Sequence, residues 1–387
     1  MRHLLFITGE YPPMEGGVGA YTAELGEALV AQGVQVSVIT SLRAMSKEKE
    51  QKQSTSTISV YPILEKWGVS IWSAIDQLAS KIGADLLHIQ YQTAAYGMNP
   101  AINFAPMRWR RRLPVAWTYH DLLPPYLFPK VGAFVRRWVT EFPAKTSNFV
   151  IVTNEGDRQQ LANKGVRATK IPIGSNISGT LHTSDQRQLR RRQRNFAHTD
   201  LVIGYFGFLN RSKGGATVVR TLHRLAQQRR NVRLLMIGDV TGASDPTNQA
   251  YFAEIEQMII DLGLIDRVQW TGREADEQVS ADLGACDLLL LPYEDGASLR
   301  RGSLMAALAN GCPIITTFPQ APMPELEEGR DLLYIAAGDD TAAAAAVLRI
   351  AQDRQLAMNL RYNAWERSKL FGWEAIAKEH LLLFNHR

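Results

Sequence analysis

The chain has 387 residues, 45% hydrophobic and 21% charged, which is a globular composition long enough for two domains and excludes a disordered chain or a lone small module. Forty-three basic against 38 acidic side chains leave a net charge of +5, an excess that suits anionic ligands without demanding nucleic acid. Cys286 and Cys312 lie in apolar stretches without metal-ligand spacing, which predicts buried thiols in a reducing compartment and neither a disulfide nor a zinc site.

In chain order, Arg2 precedes an apolar run that Gly9 and Glu10 end too early for a secretory core. No stretch reaches the roughly 20 apolar residues of a spanning helix. The expectation is a cytoplasmic chain, soluble or peripheral on the inner face of a membrane. Short apolar runs at 4–8, 34–40, 86–90, 115–119 and 149–153, bounded by turn residues, predict buried parallel strands. A helix is predicted from about Gly19 to Gln32, with Tyr21, Leu25 and Leu29 on one stripe and Gly33 as its stop.

The loop after the first strand, Gly9-Glu10-Tyr11-Pro12-Pro13-Met14-Glu15-Gly16-Gly17-Val18-Gly19, runs straight into that helix. Its glycines and the amides of a helix start suit a phosphate, although the spacing is neither a dinucleotide fingerprint nor a Walker loop. His120-Asp121 ends the fourth of these strands, where an imidazole and a carboxylate can bond a sugar hydroxyl. Two basic, aromatic-interleaved patches, at 107–112 and 134–138, fit either an anionic membrane surface or solvated helix faces with Trp109 and Trp138 turned inward.

A polar stretch at 175–199 carries Arg187, Arg190, Arg191, Arg192 and Arg194, read as a solvated helix face. Strands then resume at 201–206, 233–237, 268–270, 288–291 and 314–317, with helices near 216–228, 250–262, 276–285 and 303–309 and an Ala-rich helix at 341–347. This is a second parallel α/β domain, hinged near 173–176. Open parallel sheets bind ligands at the carboxyl ends of their strands, so two of them facing each other predict a cleft between domains. The loop Gly207-Phe208-Leu209-Asn210-Arg211-Ser212-Lys213-Gly214-Gly215 offers two cations at a helix start, and Gly238 of Met236-Ile237-Gly238-Asp239 offers backbone for a nucleoside.

Taken together, Tyr11-Pro12-Pro13 with Gly16-Gly17-Val18-Gly19, His120-Asp121, Phe206-Gly207 through Lys213-Gly214, Met236-Ile237-Gly238, Ala285-Cys286-Asp287, Ala309-Asn310-Gly311-Cys312-Pro313 and Trp373-Glu374-Ala375-Ile376 resemble the retaining glycosyltransferases of family 4, in order and over essentially the whole chain. The resemblance implies a GT-B fold of two Rossmann-like domains. Residues 1–174 would bind the acceptor, residues 175–365 would hold a nucleotide-sugar donor, and a helix within 366–387 would pack back on the first domain. It implies transfer of a sugar from a nucleoside diphosphate sugar to a hydroxyl acceptor (a saccharide, lipid-linked saccharide or small metabolite) with retention, without metal or cofactor, the leaving diphosphate being stabilised electrostatically.

Carried over residue by residue, His120 falls near the transferred sugar, Lys213 on the diphosphate, and Gly16, Gly17, Gly19 and Gly238 on the donor, while Tyr11, Glu15 and Asp121 fall on the acceptor side. Two departures stand out. The arginine that usually accompanies the lysine is replaced by Phe208, which Arg211 would offset. Of the usual two glutamates, the second position is Ala306 and the first is Ser298, or Asp295 with a gap. In their place stands Asp295-Gly296-Ala297-Ser298-Leu299-Arg300-Arg301-Gly302-Ser303, which suits a rebuilt diphosphate site in which Arg300 or Arg301 neutralises charge, or else forms salt bridges between domains. The same departure leaves open a catalytically degenerate sugar- or nucleotide-binding protein, and a nucleotide-sugar epimerase is a third reading.

Overall fold

A computed structural model describes residues 1–14, 16–45, 58–125, 132–228, 231–238 and 246–385. The chain forms two compact units, Met1–Gly174 with Gly372–Arg387, and Ser175–Phe371.

In the N-terminal unit, strands β1 (His3–Thr8), β2 (Gln35–Ser41), β3 (Ser59–Leu64), β4 (Leu86–Tyr91), β5 (Val115–Tyr119), β6 (Phe149–Val152) and β7 (Thr169–Lys170) make one parallel sheet, ordered β3-β2-β1-β4-β5-β6-β7. Helices α1 (Gly17–Ala31), α2 (Ile71–Ile82), α3 (Ala105–Trp109), α4 (Ala133–Thr146) and α5 (Glu155–Ala162) lie along the connections. The stripe Tyr21, Leu25 and Leu29 is buried, as its spacing predicts. Strand β3 has no counterpart in the sequence reading: it is a half-exposed edge strand containing Pro62, so it lacks the continuous apolar run of a central strand.

The C-terminal unit holds α6 (Ser184–Gln193), β8 (Leu201–Phe206), α7 (Gly215–Gln228), β9 (Val232–Ile237), α8 (Pro246–Asp261), β10 (Val268–Trp270), α9 (Asp276–Ala285), β11 (Leu288–Leu291), α10 (Gly302–Ala309), β12 (Ile314–Thr317), β13 (Leu333–Ile335), α11 (Asp340–Gln352) and α12 (Arg354–Ser368). Its parallel sheet is ordered β10-β9-β8-β11-β12-β13. The last helix, α13 (Trp373–Asn385), belongs to the first unit, where Ile376, Ala377 and Phe384 share a core with Tyr21, Leu25 and Leu29. The chain re-enters that unit at Gly372 rather than at residue 366, because α12 runs on to Ser368. Strand order reverses between β1 and β4 and again between β8 and β11, and loops leaving the carboxyl ends of such strands are where open α/β sheets bind ligands.

The arginine run is not a solvated face. Arg190 and Arg194 both bond the buried Asp282 of α9, through Nε at 2.7 and 2.9 Å, and both reach Glu274. Burial alone would raise the Asp282 carboxyl, but Arg194 and Arg190 hold it below its ordinary value. Arg187 donates to the Gly284 carbonyl at 2.7 Å and the buried Arg191 to the Ala285 carbonyl at 3.2 Å, so the run clamps the carbonyl end of α9, where cations are favoured. Arg192 alone of the five is exposed. Cys286 and Cys312 are free, buried thiols.

Candidate functional site

In the C-terminal unit the site is built from the loops after β8 and β11. Asn210 shapes the first: its Oδ1 accepts from the Lys213 amide at 3.1 Å and the Ser212 hydroxyl at 2.9 Å, folding a single 3-10 turn. That turn returns Lys213 over the end of β8. Its Nζ would lie 2.9 Å from a Cβ on Gly207, whose φ is +115, so a side chain there would be strained and would displace the ammonium. Gly238 ends the neighbouring strand, donates to Thr271 Oγ1 at 3.0 Å, and has the Gly207 amide 3.8 Å from where its own Cβ would stand.

The loop after β11 joins the same place, with the Glu294 amide donating to the Ser212 carbonyl at 2.8 Å. Arg301 lies with its guanidinium 4.9 Å from the centre of the Tyr293 ring and pairs with Asp295 within its own loop. Tyr293 in turn shares a 2.7 Å hydrogen bond with Ser303 Oγ, at the first turn of α10. That helix starts at Gly302 with no side-chain cap, so its leading amides point out of an exposed glycine. Ser298 Oγ accepts from the Arg300 amide at 3.3 Å. Burial, and then the nearby charge of Arg301, bring Lys213 down to about 8, which leaves it mostly charged at pH 7. Lys213, Arg301, Gly302 and Ser303 therefore form one positive corner.

Arg211 is not part of it. Its side chain is 73% exposed, pairs with Glu254 of α8 at 2.8 Å and lies over Tyr251, so it does not stand in for the arginine missing at Phe208. Phe208 instead stands 5.7 Å from Lys213 Nζ, ring centre to nitrogen. Arg301 takes its carboxylate partner, Asp295, from its own loop. Ala306 is buried on α10 and offers no acceptor.

The N-terminal unit treats its glycine loop differently. Glu10 folds over the start of α1, its Oε1 accepting from the Val18 and Gly19 amides at 3.1 and 3.4 Å. A Cβ on Gly16 would stand 2.2 Å from that carboxylate, and one on Gly19 3.1 Å from the Glu10 backbone, whereas Gly17 faces open space. The anion that the glycines admit at this helix start is thus the protein's own. Glu10 is the residue that sequence reasoning passed over; the available signal was an acid early in a loop that leads to a helix start lacking a Ser, Thr, Asp or Asn cap. Burial raises its carboxyl, opposed by the two amides.

His120 follows β5, and its Nε2 lies 2.9 Å from Gln90 Oε1 on β4. Burial, then the neighbouring His380, hold it down to about 3, so it is neutral at pH 7. Asp121 accepts from Gln92 Nε2 and the Leu123 amide, each at 3.2 Å, and so shapes the loop. Tyr11 is buried, its phenol pushed up to about 12 by burial and Glu27. Glu15 and Asp239 lie outside the described residues.

The two basic patches part company. Trp109 is 2% exposed and donates to Asp76 at 2.7 Å, with Arg108 and Arg112 on the same carboxylate, so the first patch is an inward-packed helix end. The second, on α4, keeps Phe134 83% and Trp138 47% exposed beside Arg137. Among the described residues no helix is long and apolar enough to cross a membrane.

Residues 16–176 match the family described as glycosyl transferase 4-like domain, and residues 186–367 match glycosyl transferases group 1. Mannosylfructose-phosphate synthase of Agrobacterium fabrum is 26% identical over 56% of this chain and 47% of its own length. This chain spans about half the length of the curated relatives it matches. Sucrose-phosphate synthase from Thermosynechococcus elongatus shares its fold, with a TM-score of 0.74 at 22% identity over 99% of this chain and 98% of that one. A crystal structure of Anabaena Alr3699/HepE in complex with UDP and glucose gives 0.75 at 20% over 99% of each. With both family matches in sequence order on two Rossmann-like sheets, the chain belongs to the family-4-type glycosyltransferases of GT-B fold.

Proposed function

We propose that this chain moves a sugar from a nucleoside diphosphate sugar to a hydroxyl acceptor, with retention at the anomeric carbon. The observation that carries the reading is the meeting of Lys213, Arg301 and the uncapped start of α10 at the β8/β11 reversal. Two cations and free amides suit the diphosphate whose charge grows as the sugar departs, which is where preorganised electrostatics lowers a barrier. The departing phosphate itself takes the acceptor's proton, so no separate base is assigned, and charge neutralisation by these groups leaves no step to a metal. His120 contacts the transferred sugar. Because the HepE complex holds UDP, uridine nucleotides are the first candidates, and the acceptor is a saccharide, lipid-linked saccharide or small metabolite.

The test is a thermal-shift panel with UDP, GDP, ADP, TDP and their sugars, on wild type and Lys213→Ala. A ligand at 100 times its dissociation constant stabilises by about 2.7 kcal/mol, or several degrees. A shift with one nucleotide that the variant loses supports the donor site. No shift with any of them moves the reading to a degenerate binding protein, and isomerised donor without transfer moves it to an epimerase.

We also propose peripheral membrane contact through α4, on the strength of its exposed Phe134 and Trp138 beside Arg137. Phe134→Ser with Trp138→Ser should abolish cosedimentation with anionic vesicles; unchanged binding refutes the contact.

A further inference from the structure

Inside the N-terminal unit Gln90 joins His88 and His120 by hydrogen bonds, and a third histidine, His380, packs against His88. His88 and Gln90 lie two residues apart on β4 and so share a face of the sheet, His120 follows β5, and His380 comes from α13. His88, Gln90 and His380 are fully buried. His380 Nδ1 lies 2.8 Å from the Ile376 carbonyl, which only accepts, so Nδ1 carries the proton and Nε2 of the neutral ring is bare. That Nε2 is buried without a partner, and so is His88 Nδ1.

Gln90 decides what His88 Nδ1 is. The Gln90 amide nitrogen lies 3.2 Å from His88 Nε2, which the Thr118 hydroxyl also approaches at 2.7 Å. The amide nitrogen only donates, so His88 Nε2 is the bare acceptor and the proton sits on His88 Nδ1. The two unpartnered atoms are then a donor on His88 and an acceptor on His380, in rings whose centres are 5.5 Å apart. With its nitrogen on His88, the Gln90 amide turns its oxygen toward His120. In that orientation Gln90 Oε1 accepts from His120 Nε2 at 2.9 Å, and His120 Nδ1 is left bare, with no partner among the described residues.

We propose that Gln90, backed by His88, is a positioning residue that locks His120 in its neutral Nε2–H tautomer and so presents Nδ1 as a hydrogen-bond acceptor for a sugar hydroxyl. The inference rests on the reading that His120 meets the sugar. It assigns His120 a polarity: it receives a hydroxyl proton in a hydrogen bond and does not serve as a cation or as a donor to phosphate. Burial depresses all three imidazoles, which keeps them neutral at pH 7. The other titratable groups around this chain of bonds are Tyr21 of α1, edge-on to His120 at 4.7 Å between ring centres, Glu379 of α13, whose charge acts on Tyr21, and Asp121, next to His120 in the chain.

The deciding measurement is imidazole nitrogen–proton correlation NMR on the full chain. His120 is expected with a protonated Nε2 and a bare Nδ1, unchanged from pH 8 down to 5; a protonated Nδ1 in the wild type overturns the proposal. Gln90→Met, which removes both bonds at similar length, is expected to release the tautomer and lower kcat on the order of 10-fold with donor KM within about twofold. Gln90→Glu places a carboxylate on Nε2–H, favours the imidazolium, and should show activity that recovers as pH rises. Wild-type kcat in both variants overturns the positioning role. UDP-induced stabilisation, which depends on Lys213 of the other unit, should persist in both, which separates this idea from the donor-site reading. If the wild type neither binds a nucleotide nor transfers a sugar, that reading fails while the NMR still decides the tautomer.

Discussion

The two units share a strand order and a glycine-rich loop after the first strand, yet they arm that loop with opposite charge. In the N-terminal unit Glu10 delivers a carboxylate to the Val18 and Gly19 amides, and the helix start is satisfied from within. In the C-terminal unit Lys213 stands over Gly207, Arg301 lies nearby, and α10 begins without a cap. Glycines before a helix make room for an anion; which anion arrives depends on whether an acid or a base lies within reach of the loop.

The sharpest way to break the contrast is to remove the charge from the second loop. Lys213→Ala should lower transfer on the order of 10²- to 10³-fold in a product assay, as loss of one preorganised charge-stabilising donor does. Activity within tenfold of wild type would remove Lys213 from the diphosphate. Next in size, Arg301→Ala should weaken nucleotide binding roughly 10- to 100-fold by calorimetry, the worth of a charged hydrogen bond, while Arg211→Ala stays within about threefold because Arg211 is already paired with Glu254. Equal effects of the two would dissolve the distinction between the arginines.

A smaller effect follows from pH. Burial and Arg301 hold Lys213 at about 8, so it is charged below that value and loses its proton above it. Nucleotide affinity measured from pH 6.5 to 9.5 should therefore fall as pH rises through about 8, and the fall should be missing in Lys213→Ala. A flat wild-type profile contradicts the assignment. Least of all, Glu10→Ala should cost about 1 kcal/mol, the usual worth of a lost helix cap, seen as a melting transition a few degrees lower with UDP affinity unchanged. A large loss of UDP affinity in that variant would move Glu10 from cap to ligand site.

How far each loop is legible depends on how local its interactions are. Lys213, the Asn210 that folds its turn and Gly207 lie within seven residues, and the cations of 300–303 sit beside their own helix start. Arg211 reads like Lys213 in the sequence, since only the distant Glu254 and Tyr251 turn it away. The arginine run reads as solvent-facing for the same reason: its partners Asp282 and Glu274 stand some 80 to 90 residues away. Strands β7 and β13, of two and three residues at the sheet edges, carry too little apolar pattern to be seen.

The two parallel α/β halves, the central strands and the family are legible from the residues alone, because buried parallel strands are continuous apolar runs and the motifs stand in order along the chain. So is the place of Lys213 and Arg301 in loops after strands. Three pairings come from the tertiary fold alone: Glu10 on the first helix start, Glu254 on Arg211, and Gln90 on His120. Glu10 meets amides eight and nine residues on, while Arg211 and His120 take partners 43 and 30 residues away, and none of these pairings leaves a periodicity in the sequence from which to read it.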